Sequence, residues 1–239
     1  SEMCIRDRIR SFQVEKKTET NTRKNSSVRK FPKVSWIVYV ARFITYLPMR
    51  IIFPIKIIGC RKLQKGKLVI AMNHKSGWDP VIVVHRFAPP IHFIAKTEFQ
   101  TNKVLSWLMK LTGVIFIRRG EADFSAAKSI LNVLERNQRL GLFPEGTRHP
   151  HNDGKLGAFK MGVAYYAIKE KSAVQPIIID KKIRFFRKNT LYVGEPFELS
   201  QFYDKPLTNE ILTEANAVIY AKMQDMRDEL NIISAQGNT

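Results

Sequence analysis

His74 and Asp79, five residues apart, are the pair in this sequence whose types and spacing suit proton transfer. They follow the apolar run 68–71, which predicts a short buried strand that ends just before the histidine. Residues five apart diverge on a helix, so the side chains can meet only across a turn, which Gly77 permits. Asp79 also precedes Pro80 and an apolar run, as a helix N-cap does. We expect one carboxylate oxygen to cap that helix and the other to accept the Nδ1–H of His74, which leaves Nε2 as a base.

Two later segments place charged side chains directly after predicted strands. The run 113–119 ends in Arg118 and Arg119, and the run 143–148 reads Phe-Pro-Glu-Gly-Thr-Arg. If the strands are parallel, their carboxyl ends meet at one edge of the sheet and bring these side chains toward His74. Guanidinium groups at that edge suit a phosphate, to which they can donate two parallel hydrogen bonds.

Each of these residues also has an ordinary structural interpretation. Asp79 could only cap a helix and His74 could be a simple loop histidine, because short His/Asp spacings are common by chance. Arg118 and Arg119 could be a solvated strand end, and Glu145 could belong to a surface turn. The residues taken one by one leave both interpretations open.

No metal site and no cofactor are predicted. His74, Asp79 and Glu145 could be imagined as ligands, but no second histidine stands at a useful spacing. His149 and His151 lie in a polar loop. The Gly-X-Ser-X-Gly pattern of serine hydrolases does not occur in the sequence, so a covalent acyl-serine is not expected either.

The chain is strongly basic. Its 239 residues include 40 Lys and Arg against 21 Asp and Glu, which gives a formal charge of +19. Such a charge predicts attraction to an anionic partner, such as a nucleic acid, an acidic membrane surface or phosphorylated ligands. No helix-turn-helix, zinc-finger or RNP pattern occurs, so no specific nucleic acid is expected. The two cysteines, Cys4 and Cys60, predict no disulfide framework.

The N-terminal region divides into two parts. Residues 1–33 are polar and basic, which predicts a mobile tail. Residues 34–53 are the most apolar long stretch, with aromatic residues along it, but they contain two arginines and Pro48. Because Pro48 would leave a helix too short for the hydrocarbon core, we expect this segment to lie in a membrane interface. A fully buried helix and a true membrane span are the alternatives.

From residue 54 to residue 239 short apolar runs alternate with helical patterns, which predicts one α/β domain. Its central sheet should be mostly parallel and flanked by helices, with the N-terminal apolar helical segment added to it. The last two strands could form a hairpin. Strands are predicted at 55–58, 68–71, 91–95, 114–117, 140–143, 174–179, 183–186 and 190–193, and helices after Asp79 and at 99–111, 122–137, 156–170 and 209–230.

Four blocks in this order resemble the glycerol-phosphate and lysophospholipid acyltransferase family. They are Asn-His-X4-Asp at 73–79, Gly-X2-Phe-Ile-X-Arg at 113–119, Phe-Pro-Glu-Gly-Thr-Arg at 143–148 and the proline-containing apolar strand 174–179. The narrower resemblance is to bacterial 1-acylglycerol-3-phosphate (lysophosphatidate) acyltransferases, and it covers roughly residues 54–197. Arg118 departs from the pattern, because many members carry aspartate there, while Arg119 matches the arginine of the family.

The resemblance implies an enzyme that moves a fatty acyl group onto a lysophospholipid. His74 would take the proton of the free hydroxyl, and Asp79 would hold the histidine tautomer. The donor would be acyl-CoA or acyl carrier protein, the acceptor 1-acylglycerol-3-phosphate and the product phosphatidate. The enzyme would lie at an anionic membrane surface, on the cytoplasmic face of the inner membrane. The residues implied in binding the acceptor are Arg119, Glu145, Gly146, Thr147, Arg148 and Lys160, with the Gly146 amide as a possible oxyanion donor.

Two alternatives accompany this prediction. The enzyme could acylate a different lysolipid, since blocks around the catalytic centre do not separate acceptors. More distantly, the chain could be a non-catalytic basic protein that binds membranes or nucleic acid. The intact His74 and Asp79 pair favours the enzyme.

Overall fold

A mostly parallel sheet organises the chain, as the alternation of strands and helices predicts. The structure is a computed structural model that describes residues 33–118, 123–149 and 155–236. Within these residues the sheet has seven strands in the order β1-β7-β6-β2-β5-β3-β4. Neighbouring strands are parallel except β6 and β7. The strands are β1 (Ile55–Gly59), β2 (Leu68–Met72), β3 (Ile91–Lys96), β4 (Ile115–Ile117), β5 (Arg139–Leu142), β6 (Ala173–Ile179) and β7 (Asn189–Val193).

Helices cover both faces of this sheet and create two apolar cores. One core packs α1 and α2 against one face, and the other packs α4, α5 and α6 against the opposite face. Strand β2 is buried along its whole length, as expected for a parallel strand covered on both sides. The helices are α1 (Trp36–Ile52), α2 (Asp79–Phe87), α3 (Lys103–Leu111), α4 (Phe124–Glu135), α5 (Gly162–Lys169) and α6 (Asn209–Gln236).

The apolar N-terminal segment forms one helix, α1. Ser35 caps it by accepting the amide N–H of Ile37, and the helix continues through Pro48, so the predicted interruption there is wrong. The helix still ends cleanly, because the N–H of Phe53 donates to the carbonyl of Met49. No residue of α1 is buried, so the alternative of a fully buried helix is wrong too. No helix among the described residues has both the length and the apolar character needed to cross a bilayer.

The predicted strand at 183–186 is wrong, and so is the hairpin it would form with β7. Strand β7 pairs with β6 and β1 instead. The side chain of Asn189 accepts the N–H of Arg184 and donates to the carbonyls of Arg184 and Arg187, which closes residues 184–189 into a loop. Phe186 has a φ of 53°, which a strand does not allow.

Two predicted helices are shorter than the apolar pattern suggested. Helix α5 begins only at Gly162, although the pattern starts at residue 156. Helix α3 begins at Lys103, because Asn102 caps it by accepting the N–H of Leu105. The basic tail predicted for residues 1–33 lies, apart from its last residue, outside the described part of the chain.

The long C-terminal helix α6 is tied to the sheet by a buried ion pair. Arg227 is almost completely buried. Its Nη1 donates to the backbone carbonyl of Asp180 at 2.9 Å and lies 3.3 Å from the Asp180 carboxylate. Asp180 directly follows β6, so this contact fixes the end of the strand beside β2.

Candidate active site

The predicted contact between His74 and Asp79 is present at the carboxyl end of β2. Nδ1 of His74 lies 2.7 Å from Oδ2 of Asp79, across the turn 75–78. The Asp79 side chain is fully buried, and that of His74 keeps 18% of its surface exposed. Nε2 makes no hydrogen bond to any described residue, so one ring nitrogen is held by the carboxylate and the other is available to a ligand.

The carboxylate is used differently from the prediction. Oδ2 of Asp79 accepts the backbone N–H groups of Lys75 and Ser76 at 2.8 and 2.7 Å in addition to the histidine. Asp79 is itself the first residue of α2, and no side chain caps that helix, so the predicted capping role is wrong. Oδ1 is buried with no hydrogen bond within the described structure. These three contacts on one oxygen fix the turn around the carboxylate.

Asn73 holds the start of the same turn, a role that the sequence did not reveal. Its side chain is completely buried. Its Oδ1 accepts the N–H of Ile179 at 2.7 Å, and its Nδ2 donates to the carbonyl of the same residue at 3.0 Å. The amide thus binds the last residue of β6 as a further strand residue would. The available signals were its position directly after a buried strand and its place as the first residue of the Asn-His-X4-Asp block.

The block at 143–148, which follows β5, contacts His74 through Phe143. The rings of His74 and Phe143 are stacked with their centroids 4.0 Å apart. The N–H of His149 donates to the backbone carbonyl of His74 at 2.8 Å. Because β2 and β5 are neighbours in the sheet, the loop after β5 lies directly on the loop after β2. The expected convergence of these two strand ends is therefore confirmed.

Gly146 and Lys160 form one side of this loop. Gly146 has a φ of +68°, and its N–H donates to the carbonyl of Phe143 within a turn. That donation already occupies the amide, which disfavours its predicted oxyanion role. The Lys160 side chain packs on Gly146, where a Cβ would approach its Cε to 2.9 Å. The backbone N–H of Lys160 also donates to the carbonyl of Pro144, which ties its backbone to this loop, and its Nζ lies 3.2 Å from the position of that Cβ.

Glu145, Thr147 and His149 are grouped on the same loop. Glu145 is 5% exposed, and its Oε2 lies 3.5 Å from Nε2 of His149. The same ring nitrogen is 3.1 Å from Oγ1 of Thr147. Arg148 lies between Thr147 and His149, with its side chain exposed to solvent. The buried carboxylate supports the loop, while Thr147 and Arg148 face outward at its tip.

The second block lies farther from the histidine. Strand β4 is the edge strand, separated from β2 by β5 and β3, which puts it roughly 14 Å away. Arg118 follows β4, and its N–H lies 3.5 Å from Oδ2 of Asp123. Arg119, the predicted phosphate ligand, lies outside the described residues, as does His151. The described part of the chain contains no group of three or more His, Cys, Asp or Glu side chains able to hold a metal ion.

The fold and the site together define an α/β protein with a His/Asp pair at the carboxyl end of a central strand. A family model described as Acyltransferase matches residues 54–180, which is more than half of the chain. The chain therefore belongs to the Acyltransferase family. The matched region contains both catalytic candidates and the whole loop after β5.

Several relatives of this chain carry a common name. The chain is 32% identical over 131 residues to the 1-acyl-sn-glycerol-3-phosphate acyltransferase of Borreliella burgdorferi, a match that covers 54% of this chain and 52% of that protein. It is 31% identical over 173 residues to the protein of the same name from Limnanthes douglasii, covering 71% of this chain and 60% of the relative. The chain spans about half the length of the curated relatives it matches, or less.

A solved structure shares the fold. The crystal structure of the 1-acyl-sn-glycerophosphate (LPA) acyltransferase from Thermotoga maritima superimposes with a TM-score of 0.57 at 21% identity. The superposition covers 81% of this chain and 82% of that one. At this identity the likeness shows the fold alone.

Proposed function

We propose that this protein is an acyltransferase that moves a fatty acyl group from a thioester to the free hydroxyl of a lysophospholipid. The observation that carries the proposal is the 2.7 Å contact between Nδ1 of His74 and Oδ2 of Asp79. It holds Nδ1 of a ring that stays 18% exposed, and Nε2 is left available to a substrate. A positioned base of this kind contributes about 10²- to 10⁴-fold to a rate.

In the proposed reaction His74 acts first as a base and then as an acid. Nε2 removes the hydroxyl proton while that oxygen attacks the thioester carbonyl carbon. The tetrahedral intermediate collapses by breaking the carbon–sulfur bond, and the imidazolium returns its proton to the leaving sulfur. Asp79 stabilises the imidazolium that forms between these steps and does not itself take the proton. The donor is acyl-CoA or acyl carrier protein, and no acyl-enzyme and no cofactor are required.

The phosphate of the acceptor is assigned to the basic side of the site. Lys160 lies against Gly146, and the exposed Arg148 is next to the residue that contacts the backbone of His74. Arg119, by its place in the second block, is the third cation of this proposal. A guanidinium binds a phosphate through two hydrogen bonds, whereas an ammonium acts as a point charge.

The preferred acceptor is 1-acylglycerol-3-phosphate, with phosphatidate as product. Support comes from the names of the relatives, several of which are 1-acyl-sn-glycerol-3-phosphate acyltransferases. Another lysolipid remains the alternative acceptor, because the His74 side of the site recognises only a hydroxyl and not the rest of the lipid.

We place the enzyme on a membrane surface, on the cytoplasmic face of the inner membrane. Helix α1 supports this, because large apolar side chains on it face solvent, among them Trp36, Phe43, Ile44 and Leu47. Phe185 and Phe186 lie beside the C-terminal end of α1, within the basic stretch 181–188. Apolar side chains with cations around them suit an anionic lipid interface.

The test is acyl transfer from an acyl-CoA to lysophosphatidate in detergent micelles, with wild type beside His74→Ala and Asp79→Asn. We expect wild type to make phosphatidate and each variant to lose about 10²- to 10⁴-fold in kcat. Asp204→Asn is the matched control, because Asp204 is exposed and pairs only with Lys171 on the surface. Its activity should stay within about twofold of wild type.

Two outcomes would contradict the proposal. If His74→Ala keeps wild-type activity, His74 is not the base. If wild type transfers no acyl group from acyl-CoA or acyl carrier protein to any lysolipid offered, the assignment to lysolipid acylation is wrong. Activity on another lysolipid alone would reject lysophosphatidate and keep the mechanism.

A further inference from the structure

A second basic site lies at the other end of α2 from the catalytic pair. A cavity of about 370 Å³, open to solvent on one side, is lined by residues of α1, β1 and α2 and by the segments that flank β1. Asp79 begins α2, while His85 and Arg86 line the cavity near the end of the helix. The two sites are therefore about 10 Å apart along the helix axis.

Three guanidinium groups face this cavity, from Arg50, Arg61 and Arg86. Nη1 of Arg50 donates to the hydroxyl of Tyr46 at 3.0 Å. No carboxylate of the described residues lies within ion-pairing distance of any of the three. Burial lowers the pKa of Arg86, Tyr46 acts against this, and the like charges of Arg50 and Arg61 lower the pKa as well. Repulsion among three cations without an acidic partner favours the binding of an anion.

Apart from the arginines, Tyr46 and His85, the cavity wall is apolar. Met49, Phe53, Ile57 and Ile82 line it next to the arginines. A free inorganic anion gains nothing from these apolar side chains, because they offer no hydrogen-bond donor. A ligand with an anionic group and a hydrocarbon part can bind the arginines with the first and the apolar side chains with the second. The cavity volume lies in the range of sites for small molecules.

We propose that this cavity binds the phosphate headgroup of an anionic phospholipid other than the reacting one. The outer wall of the cavity is α1, so on a membrane surface the cavity opens beside the lipid headgroups. The phosphate would lie between Arg61 and Arg86, with the glycerol and the upper acyl carbons against Phe53 and Ile57. The inference rests on the proposed membrane placement of α1, and it is independent of acyl transfer.

The test is native mass spectrometry of the full chain in a neutral detergent, with phosphatidylglycerol as the titrated lipid. We expect one lipid per chain to bind in a saturable way. The double variant Arg61→Gln/Arg86→Gln should bind it about 10- to 30-fold more weakly. The matched control is Lys62→Gln/Lys65→Gln, which removes two exposed charges next to Arg61 but outside the cavity. It should change the affinity by less than about threefold.

Equal weakening in the two double variants would overturn the proposal, since general surface charge would then explain binding. Displacement of the lipid by millimolar inorganic phosphate, with no effect of chloride at equal ionic strength, would overturn the assignment to a lipid. If the glutamine variant melts at a much lower temperature than wild type, Arg61→Lys/Arg86→Lys replaces it. That variant keeps the charge but loses the paired hydrogen bonds, and should still bind at least about threefold more weakly.

Acyl transfer measured on the same preparations separates this proposal from the proposed function. Lipid binding by a chain that transfers no acyl group would contradict the function and support the site. Acyl transfer without saturable phosphatidylglycerol binding would support the function and contradict the site.

Discussion

At the scale of single residues, the orientation of His74 depends on contacts from three residues. Asp79 binds its ring, Phe143 stacks on it, and the N–H of His149 binds its backbone carbonyl. Phe143 and His149 belong to the loop after β5, so a change in that loop alters the histidine without touching the His/Asp pair. The geometry of the base is therefore shared between two loops.

Gly146 provides a test of this dependence. In Gly146→Ala the new Cβ meets Cε of Lys160 at 2.9 Å, at a φ of +68° that disfavours any residue with a side chain. The positive φ alone costs about 1–2 kcal/mol. We expect acyl transfer to fall at least about tenfold, measured as kcat/KM for lysophosphatidate.

Gly162→Ala is the matched control, because nothing lies within 4 Å of a Cβ there and the residue begins a helix. Its activity and melting temperature should equal or slightly exceed those of wild type. Equal activity in the two alanine variants would show that the turn at Gly146 does not shape the site.

At the scale of secondary-structure elements, the sequence predicted the sheet better than its connections. The pattern of apolar runs located the strands that became β1 to β7, because strands that pack against helices are rich in apolar side chains. It failed at residues 183–186, where the side chain of Asn189 closes a loop, and before Gly162, where an apolar run is not helical. The conformation of such segments depends on contacts with residues far away in the sequence. The local pattern of apolar residues carries no information about those contacts.

The same limit applies to the site. The proximity of His74 and Asp79 followed from their spacing and an intervening glycine. The clamp of Asn73 on Ile179 could not be predicted, because it joins residues far apart in sequence. For the same reason the cavity between α1 and α2 has no sequence signature, since its three arginines come from separate elements.

His92 on β3 makes the stability of the sheet depend on pH. The ring is buried, its Nδ1 lies 2.9 Å from the carbonyl of Gly113, and its Nε2 lies 2.8 Å from Oε1 of Gln138. Burial lowers the pKa of His92 below its ordinary value of 6.5, against the raising effect of those two contacts. The unfolded chain thus binds a proton near pH 6.5 where the folded chain does not. The free energy of unfolding should therefore fall as pH drops below 6.5.

The loss of stability on acidification is measured as the melting temperature from neutral pH down to about pH 5. His92→Gln should be less stable at neutral pH, by about 1–3 kcal/mol for the lost hydrogen bonds. It should also lose less stability on acidification than wild type does, because one proton-binding group of the unfolded chain is gone. Parallel pH curves for the two proteins would show that His92 does not contribute.

At the scale of the whole molecule, the proposed membrane surface can be tested without any reaction. Phe43 and Leu47 lie one turn apart on α1 and are 81% and 67% exposed. A large apolar side chain that leaves water is worth about 1.5–3 kcal/mol. The double variant Phe43→Asn/Leu47→Asn should therefore bind anionic vesicles at least about tenfold more weakly, as measured by flotation.

The matched control for the vesicle experiment is Ile232→Asn on α6. Ile232 is 59% exposed, but it belongs to the helix that packs on the opposite face of the sheet. Its vesicle affinity should stay within about twofold of wild type. Equal weakening in both proteins would contradict the orientation proposed for α1.

The pairing of β1 with β7 sets an order of events during synthesis. Ile55 pairs with Asn189, and β1 is the edge strand, bonded to no other strand of the described sheet. The ribosome must translate more than half of the chain between these two residues, which takes on the order of ten seconds. Throughout that interval β1 has no strand partner to hold the adjoining α1 in place. The nascent apolar helix is thus available to a bilayer before the sheet it will adjoin is complete.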